Sequence, residues 1–325
     1  MRSQQKPVDA VIMGAAIADI LLRPVDESVF SGGSIAVEDI RLSLGGDALN
    51  EATVLARLGH APMLISTLGQ DAAAGFIQSH CEREGVTLCA PRKADIDTGI
   101  NAVLVMPSGE RSFVTSRNGS LRKLTLDDIE PFLQGEAFAG ARVACLASML
   151  VSPPLDVSKM RTLFERIKAA GKILCADTTR PKNGETLSDL AGALQYVDYF
   201  FPNITEARAL SGLTRPDEAA DAILNTGVRN VVIKLGRAGC LIKNAHARYA
   251  VPAYPQSVCV DTTGAGDTFA AAFIAALLEG RPLSDCGAYA NAAASLCVER
   301  LGATAAAMDR EEIERRYEQI VSHMG

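Results

Sequence analysis

The chain has 325 residues, 48% of them hydrophobic, and its 32 lysines and arginines are outnumbered by 38 aspartates and glutamates, giving a net charge of -6. That length supports a sizeable core in one large α/β domain or two ordinary ones, and without a basic stripe a nucleic-acid polyanion is excluded as the main partner. Eight cysteines without a C-x-x-C pair, no apolar signal core at Met1–Pro7 and no apolar run of about 18 residues point to a cytoplasmic protein with reduced thiols, no membrane partner and a small-molecule substrate.

Val8 to Ala16 is apolar almost throughout and predicts a strand buried on both faces of a parallel sheet. Asp19 follows it, either as a solvated loop carboxylate or at the strand's carboxyl end, where open parallel sheets bind ligands. Residues 20 to 44 are rich in β-formers and turn residues and carry no helical period. Gly45-Gly46 opens a helical pattern from Asp47 to Leu58, stopped by Gly59. Asn50 sits one turn into it, with an amide able both to donate and to accept hydrogen bonds. Ala61 to Leu68 reads as a strand and Ala72 to Glu84 as a helix closed by Gly85. Thr98 to Val105 and Arg111 to Thr115 form a hairpin about residues 106–110.

From Leu124 onward helices and strands alternate: helix Leu126 to Phe132, strand Arg142 to Leu146, helix Val157 to Ala170, strand Ile173 to Ala176, helix Thr186 to Leu194, strand Tyr196 to Phe201. Repeated βα units of this spacing favour a parallel sheet with helices on both faces. Asp177 and Arg180, just past a strand end, read either as phosphate or substrate contacts or as a local ion pair. Asn203 and Glu206 share a face at the start of a helix, a spacing that an ordinary capping box also produces. Val231 to Lys234 is a buried strand leading into Leu235-Gly236-Arg237-Ala238-Gly239. Near the end, Leu283 to Glu299 forms a long helix, and Asp309 to Met324 a charged amphipathic one with a solvated face.

Between them lies Asp261-Thr262-Thr263-Gly264-Ala265-Gly266-Asp267-Thr268-Phe269. Val258 to Asp261 reads as the exit of a buried strand, the glycines permit a sharp turn, and Asp267 to Leu278 has helix-forming composition. The bare helix N-terminus this creates stabilises a phosphate or oxyanion through unpaired amides and the macrodipole. Asp267 there is either a helix cap or, beside an anion-holding loop, a base that takes a proton from the group attacking the phosphate. No G-x-x-x-x-G-K-[ST] occurs, which excludes a P-loop kinase, and Gly14-Ala15-Ala16 lacks the G-x-G-x-x-G turn of a dinucleotide oxidoreductase.

The D-T-T-G-A-G-D-T-F run, together with Gly45-Gly46-Asp47-Ala48-Leu49-Asn50-Glu51-Ala52 about two hundred residues earlier, resembles the two signatures of the PfkB/ribokinase family of sugar kinases. The resemblance covers nearly the whole chain. It implies a ribokinase-like α/β fold in one domain, 1–325, with a central, mostly parallel sheet flanked by helices. A small β-sheet lid is expected from about residues 20–44 and 98–118.

The implied reaction is ATP-dependent, Mg²⁺-assisted transfer of the γ-phosphoryl group to a hydroxyl of a monosaccharide or sugar acid. Asp267 would be the catalytic base and Gly264, Ala265 and Gly266 the anion hole. Asp19, Gly45, Gly46 and Asn50 would hold the sugar, while Arg111 and Asn118 on the lid hairpin could reach an acidic group of it. Asn203 and Glu206 would organise Mg²⁺ and phosphate through water. Lys234, Gly236 and Gly239 would form the nucleotide turn, with Asn291 beside the adenosine. Asp261, with Thr263 and the carbonyls of Gly302-Ala303-Thr304, would form a potassium site, although Ala306 replaces a serine expected there. Asp47 adds a negative charge beside the glycines, so a sugar preference does not carry over. Apolar lid faces often pair, which makes a homodimer through the lid the expected assembly. A nucleoside kinase and a catalytically silent sugar sensor are the rival readings on the same fold.

Overall fold

The computed structural model describes residues 7–108, 110–303 and 308–324. Strand β1 (Ala10–Met13) leads into β2 (Ile17–Arg23) and β3 (Asp39–Gly45), followed by helix α1 (Asp47–Arg57), β4 (Pro62–Ile65), β5 (Leu68–Gly69) and α2 (Ala72–Glu84). Next come β6 (Thr87–Cys89), β7 (Arg92–Lys93), β8 (Ile100–Val105), β9 (Arg111–Thr115), α3 (Leu126–Ile129) and α4 (Glu136–Gly140). The βα alternation then runs β10 (Val143–Met149), α5 (Val157–Ala169), β11 (Ile173–Thr178), α6 (Leu187–Leu194), β12 (Tyr199–Phe200), α7 (Ile204–Ser211), α8 (Pro216–Leu224) and β13 (Asn230–Lys234). It closes with β14 (Cys240–Asn244), β15 (Arg248–Val251), α9 (Ala265–Leu278), α10 (Leu283–Cys297) and α11 (Arg310–Ser322).

The main sheet has nine strands in the order β15-β14-β13-β12-β11-β10-β1-β4-β6. It is parallel from β6 to β13, and β14 and β15 join antiparallel at one edge. Every residue of β1 and β10 is buried, as the unbroken apolar runs require, because a parallel sheet is covered by helices on both faces. Alternation along β1 divides the interior: Ala10 and Ile12 join the core built with α1, α9 and α10, while Val11 and Met13 join the one built with α5 and α6.

Helix α9 is buried on nearly every side from Thr268 onward, the signature of a core helix rather than a surface one. Its alanines let neighbouring helices approach closely. Phe273 anchors it, meeting the ring of Phe201 edge-on at 5.2 Å.

A second, separate sheet of four strands, in the order β3-β2-β8-β9, is built from the segments expected to form the lid. One face carries Asp19, Leu21, Asn101, Val103 and Val105, with Leu21, Val103 and Val105 forming their own small cluster. The opposite face leaves Ile40, Leu42, Ile100 and Val114 exposed. No helix of the described residues is long and apolar enough to cross a membrane.

Several local expectations are corrected. Val258 to Asp261 is not a strand: the amides of Val260 and Asp261 both donate to Val298 O at the end of α10, and Val258 and Val260 are 71% and 60% exposed. The strand expected over Tyr196 to Phe201 shrinks to Tyr199–Phe200, because residues up to Val197 are held in turns closing α6. Helix α3 is a single turn, passing at Pro131 into a 3-10 turn. Helix α11 is not merely a solvated element, since Ile313, Arg316 and Ile320 are buried and Arg316 lies over the Tyr254 ring at 4.6 Å. Asp19 stands within β2, not in a loop after β1.

Candidate active site

Helix α9 begins at Gly264, whose φ of +74° is the left-handed conformation that favours glycine, and a Cβ there would lie 2.6 Å from Ala303 Cα. Among the described residues no side chain caps this helix. Asp267, in its first turn, instead accepts a 2.6 Å hydrogen bond from Asn50 Nδ2, so its carboxylate is not spent as a cap. Burial pushes Asp267 up to about 6, against the pull of the Asn50 bond and of Lys234, with Asp177 adding to the rise. A carboxylate in that range is ionised at neutral pH and basic enough to take a proton.

The loop amides are not all alike. Ala265 N donates to Thr262 O at 3.2 Å, which narrows the three-amide anion hole expected from the sequence. The amides of Gly264 and Gly266 make no backbone hydrogen bond among the described residues, which leaves them, beside the positive end of the macrodipole, able to face an anion.

Helix α1 brings Asp47, Asn50 and Glu51 onto one face through their i, i+3, i+4 spacing. Gly45 ends β3 and Gly46 caps α1, so the segment that carries Asn50 to Asp267 is continuous with the lid. Asp19 explains Gly45: a Cβ at that glycine would fall 2.2 Å from Asp19 Oδ2. Asp19 Oδ1 accepts from Asn101 Nδ2 at 3.1 Å, and burial raises its carboxyl against the lowering effects of Asn101 and Arg111.

A second group of charges lies behind α9. Lys234 Nζ donates to Asp177 Oδ2 at 2.5 Å and would be 3.4 Å from a Cβ on Gly266. Burial opposes the Lys234 charge, but the Asp177 and Glu206 carboxylates outweigh it and hold the ammonium protonated. The local Asp177–Arg180 ion pair offered by the sequence is not the one present: Asp177 is paired with Lys234, and Arg180 is exposed. Asn203 and Glu206 form a reciprocal capping box on α7, with Glu206 N to Asn203 Oδ1 at 2.9 Å and Asn203 N to Glu206 Oε2 at 2.7 Å. Burial, with Asp177, lifts Glu206 to about 7 against the attraction of Lys234. Asp47 is pushed well above its usual value by burial and then by Asp267 and Asp177.

Among the remaining candidates, Gly236 and Gly239 shape the turn from β13 to β14, where Leu235 N donates to Gly239 O at 2.8 Å. Asn291 is buried and gives its amide to the carbonyls of Val251 and Pro252 at 3.2 and 3.0 Å. Asn118 is exposed in the turn after β9. Arg111 does not project freely for a substrate; its guanidinium is bound to Asp261 Oδ2 at 2.6 Å and to Thr263 Oγ1. Thr304 and Ala306 lie outside the described residues.

Three participants escaped the sequence reading: Glu51, Asn101 and the Lys234–Asp177 link. Glu51 was detectable, because a third polar residue on the inner face of an otherwise apolar helix has no packing reason to be there. Asn101 differs from its strand neighbours only by alternation, and the ion pair joins strands 57 positions apart.

Comparison with known proteins bears on this arrangement. The family model described as pfkB family carbohydrate kinase matches residues 9–310. A ribokinase of Arabidopsis thaliana is 28% identical over 332 residues, covering 96% of this chain and 83% of the relative. A 2-dehydro-3-deoxygluconokinase of Bacillus subtilis is 28% identical over 311 residues, covering 91% of each. Among solved structures, ribokinase from Thermotoga maritima superposes with a TM-score of 0.80 at 26% identity over 96% of this chain and 99% of that one. The Arabidopsis thaliana ribokinase complexed with ribose and ATP gives 0.78 at 26% identity with the same coverage.

Proposed function

The chain belongs to the pfkB family of carbohydrate kinases, with the ribokinase-like α/β fold, and from that premise we propose how its residues transfer the γ-phosphoryl group of ATP to a hydroxyl of a monosaccharide or sugar acid. The observation that carries the reading is the Asn50–Asp267 contact, a basic carboxylate at a helix N-terminus held by the segment that continues into the sugar-facing lid. Asp267 accepts the hydroxyl proton. The free amides of Gly264 and Gly266, with the macrodipole of α9, hold the transferring charge.

Asp19, braced by Asn101, and Asn50 orient the acceptor, and Gly45 and Gly46 let the backbone approach it. The ATP phosphates lie toward Lys234 and the Gly236–Gly239 turn. No cluster of three or more His, Cys, Asp or Glu side chains able to cage a metal occurs among the described residues, which fits an ion held mainly by the nucleotide's own phosphates. Glu206, beside the Lys234–Asp177 pair, is the carboxylate suited to receive it through water. When bound, Mg²⁺ neutralises phosphate charge.

The kinase is one domain, 1–325, with the lid segments inserted, acting in the cytoplasm. Its exposed lid face of Ile40, Leu42, Ile100 and Val114 pairs with that of a second copy. The names of two relatives, a ribokinase and a 2-dehydro-3-deoxygluconokinase, support a monosaccharide or sugar acid as the acceptor class. An ATP-consumption screen across aldoses, ketoses, sugar acids and nucleosides tests the reading. Turnover with a sugar or sugar acid supports it; turnover with nucleosides alone, or with no acceptor tested, replaces it by a nucleoside kinase or by a sugar sensor.

A further inference from the structure

The potassium site implied by the sequence resemblance does not fit Asp261 and Thr263 as they are placed. Asp261 Oδ1 accepts from Thr263 N at 2.9 Å and Thr263 Oγ1 at 2.8 Å, and Asp261 Oδ2 accepts from Gly302 N at 2.7 Å. The same Oδ2 is paired with Arg111 Nη2 at 2.6 Å, and Arg111 Nη1 reaches Thr263 Oγ1 as well. Both carboxylate oxygens are thus already engaged twice, and the positive charge a monovalent cation would bring is supplied by a guanidinium. The arrangement is enclosed, with the side chains of Arg111 and Asp261 only 15% and 3% exposed. A guanidinium held at two points, one nitrogen on Asp261 and the other on Thr263, fixes direction as well as charge, which a spherical ion does not.

Arg111 is the first residue of β9, at the tip of the lid hairpin, whereas Asp261–Thr263 leads directly into Gly264. We propose that Arg111 is a built-in counter-cation of the anion-holding loop, a positioning residue that takes the place of potassium and ties the shape of that loop to the lid. The chain then needs no monovalent cation, and the loop takes its working shape only with the lid strand in place. This rests on the kinase reading for its catalytic consequence, but not for its structural one.

The test is a thermal melt of the full chain and of R111A and R111M in KCl and in tetramethylammonium chloride at equal ionic strength. The wild type is expected to melt within about 1 °C in the two salts, and the variants to gain a potassium-specific stabilisation, because Asp261 is left with unpaired lone pairs. With an acceptor from the ATP screen, wild-type turnover is expected to agree within twofold between the salts. R111A is expected to lose at least tenfold and to recover partly with added potassium or guanidinium chloride, and R111K to fall between. A wild type stabilised or activated severalfold by potassium overturns the proposal, as does R111A behaving alike in both salts. If no acceptor is phosphorylated, the kinase reading fails on that result while the melts still decide the role of Arg111.

Discussion

Asn50 Nδ2 lies 2.6 Å from Asp267 Oδ2, joining two residues 217 positions apart. The contact places the positive edge of an amide dipole against the one carboxylate in the first turn of α9. It both aims that carboxylate and moderates its basicity, and the first predictions follow from these two effects.

Replacing Asp267 by Asn keeps the volume and removes the base. Turnover is expected to fall at least about 10²-fold with ATP affinity largely kept. Steady-state kinetics beside calorimetric ATP titration checks this, and near-normal turnover would remove Asp267 from the role of base.

The pH profile of kcat/KM is expected to lose activity on the acid side near pH 6, as Asp267 takes up its proton. Asn50 stabilises the charged form, so Asn50→Ala should move that limb upward as well as weaken sugar binding. Glu206 titrates nearby, at about 7, and Glu206→Gln is the control that isolates the Asp267 limb. An unmoved limb in Asn50→Ala contradicts the assignment.

Glu51 is fully buried with neither carboxyl oxygen hydrogen-bonded to an N–H or O–H group among the described residues. Burial, then Asp177 and Asp267, push it well above 4.5, while the Cys145 thiol pulls the other way. Because its folded value is raised, the folded state keeps a proton that the unfolded state releases, and stability is lost as pH rises above about 4.5. Glu51→Gln should therefore be close to neutral near pH 4 and increasingly stabilising toward pH 8. Denaturant melts across that range check the sign.

Lys234→Met strands Asp177 as a buried charge and is expected to cost about 3–5 kcal/mol, while Lys234→Met with Asp177→Asn should recover much of it. Urea unfolding of the four proteins of the cycle measures this. A loss in the double variant equal to the sum of the two single losses would mean that the pair has no energetic coupling.

Much of this architecture was readable from residue order. Unbroken apolar runs such as Val8 to Ala16 announced a doubly covered sheet, and the glycines at 45, 46 and 264 marked both turns of the site. Composition failed where the partner was remote. Val258-Cys259-Val260 has the residues of a strand, but its backbone is tied to the end of α10 and its valines face outward. The charged pattern of α11 hid a buried face, because Arg316 is sheltered by Glu299, Glu312 and the Tyr254 ring. Arg111 looked like a lid arginine free for a substrate, and nothing local in 261–263 indicates that a residue 150 positions earlier would neutralise Asp261.

Strand β1 is flanked by β4 on one side and β10 on the other, so the first strand among the described residues occupies an interior place in the sheet. Its second neighbour begins at Val143, and a nascent chain carries this strand with one side unpaired until more than a hundred further residues have followed. Parallel partners so far apart are slow to find each other. The growing chain therefore carries a half-made sheet, open along one edge, and molecular chaperones are expected to matter most during that interval.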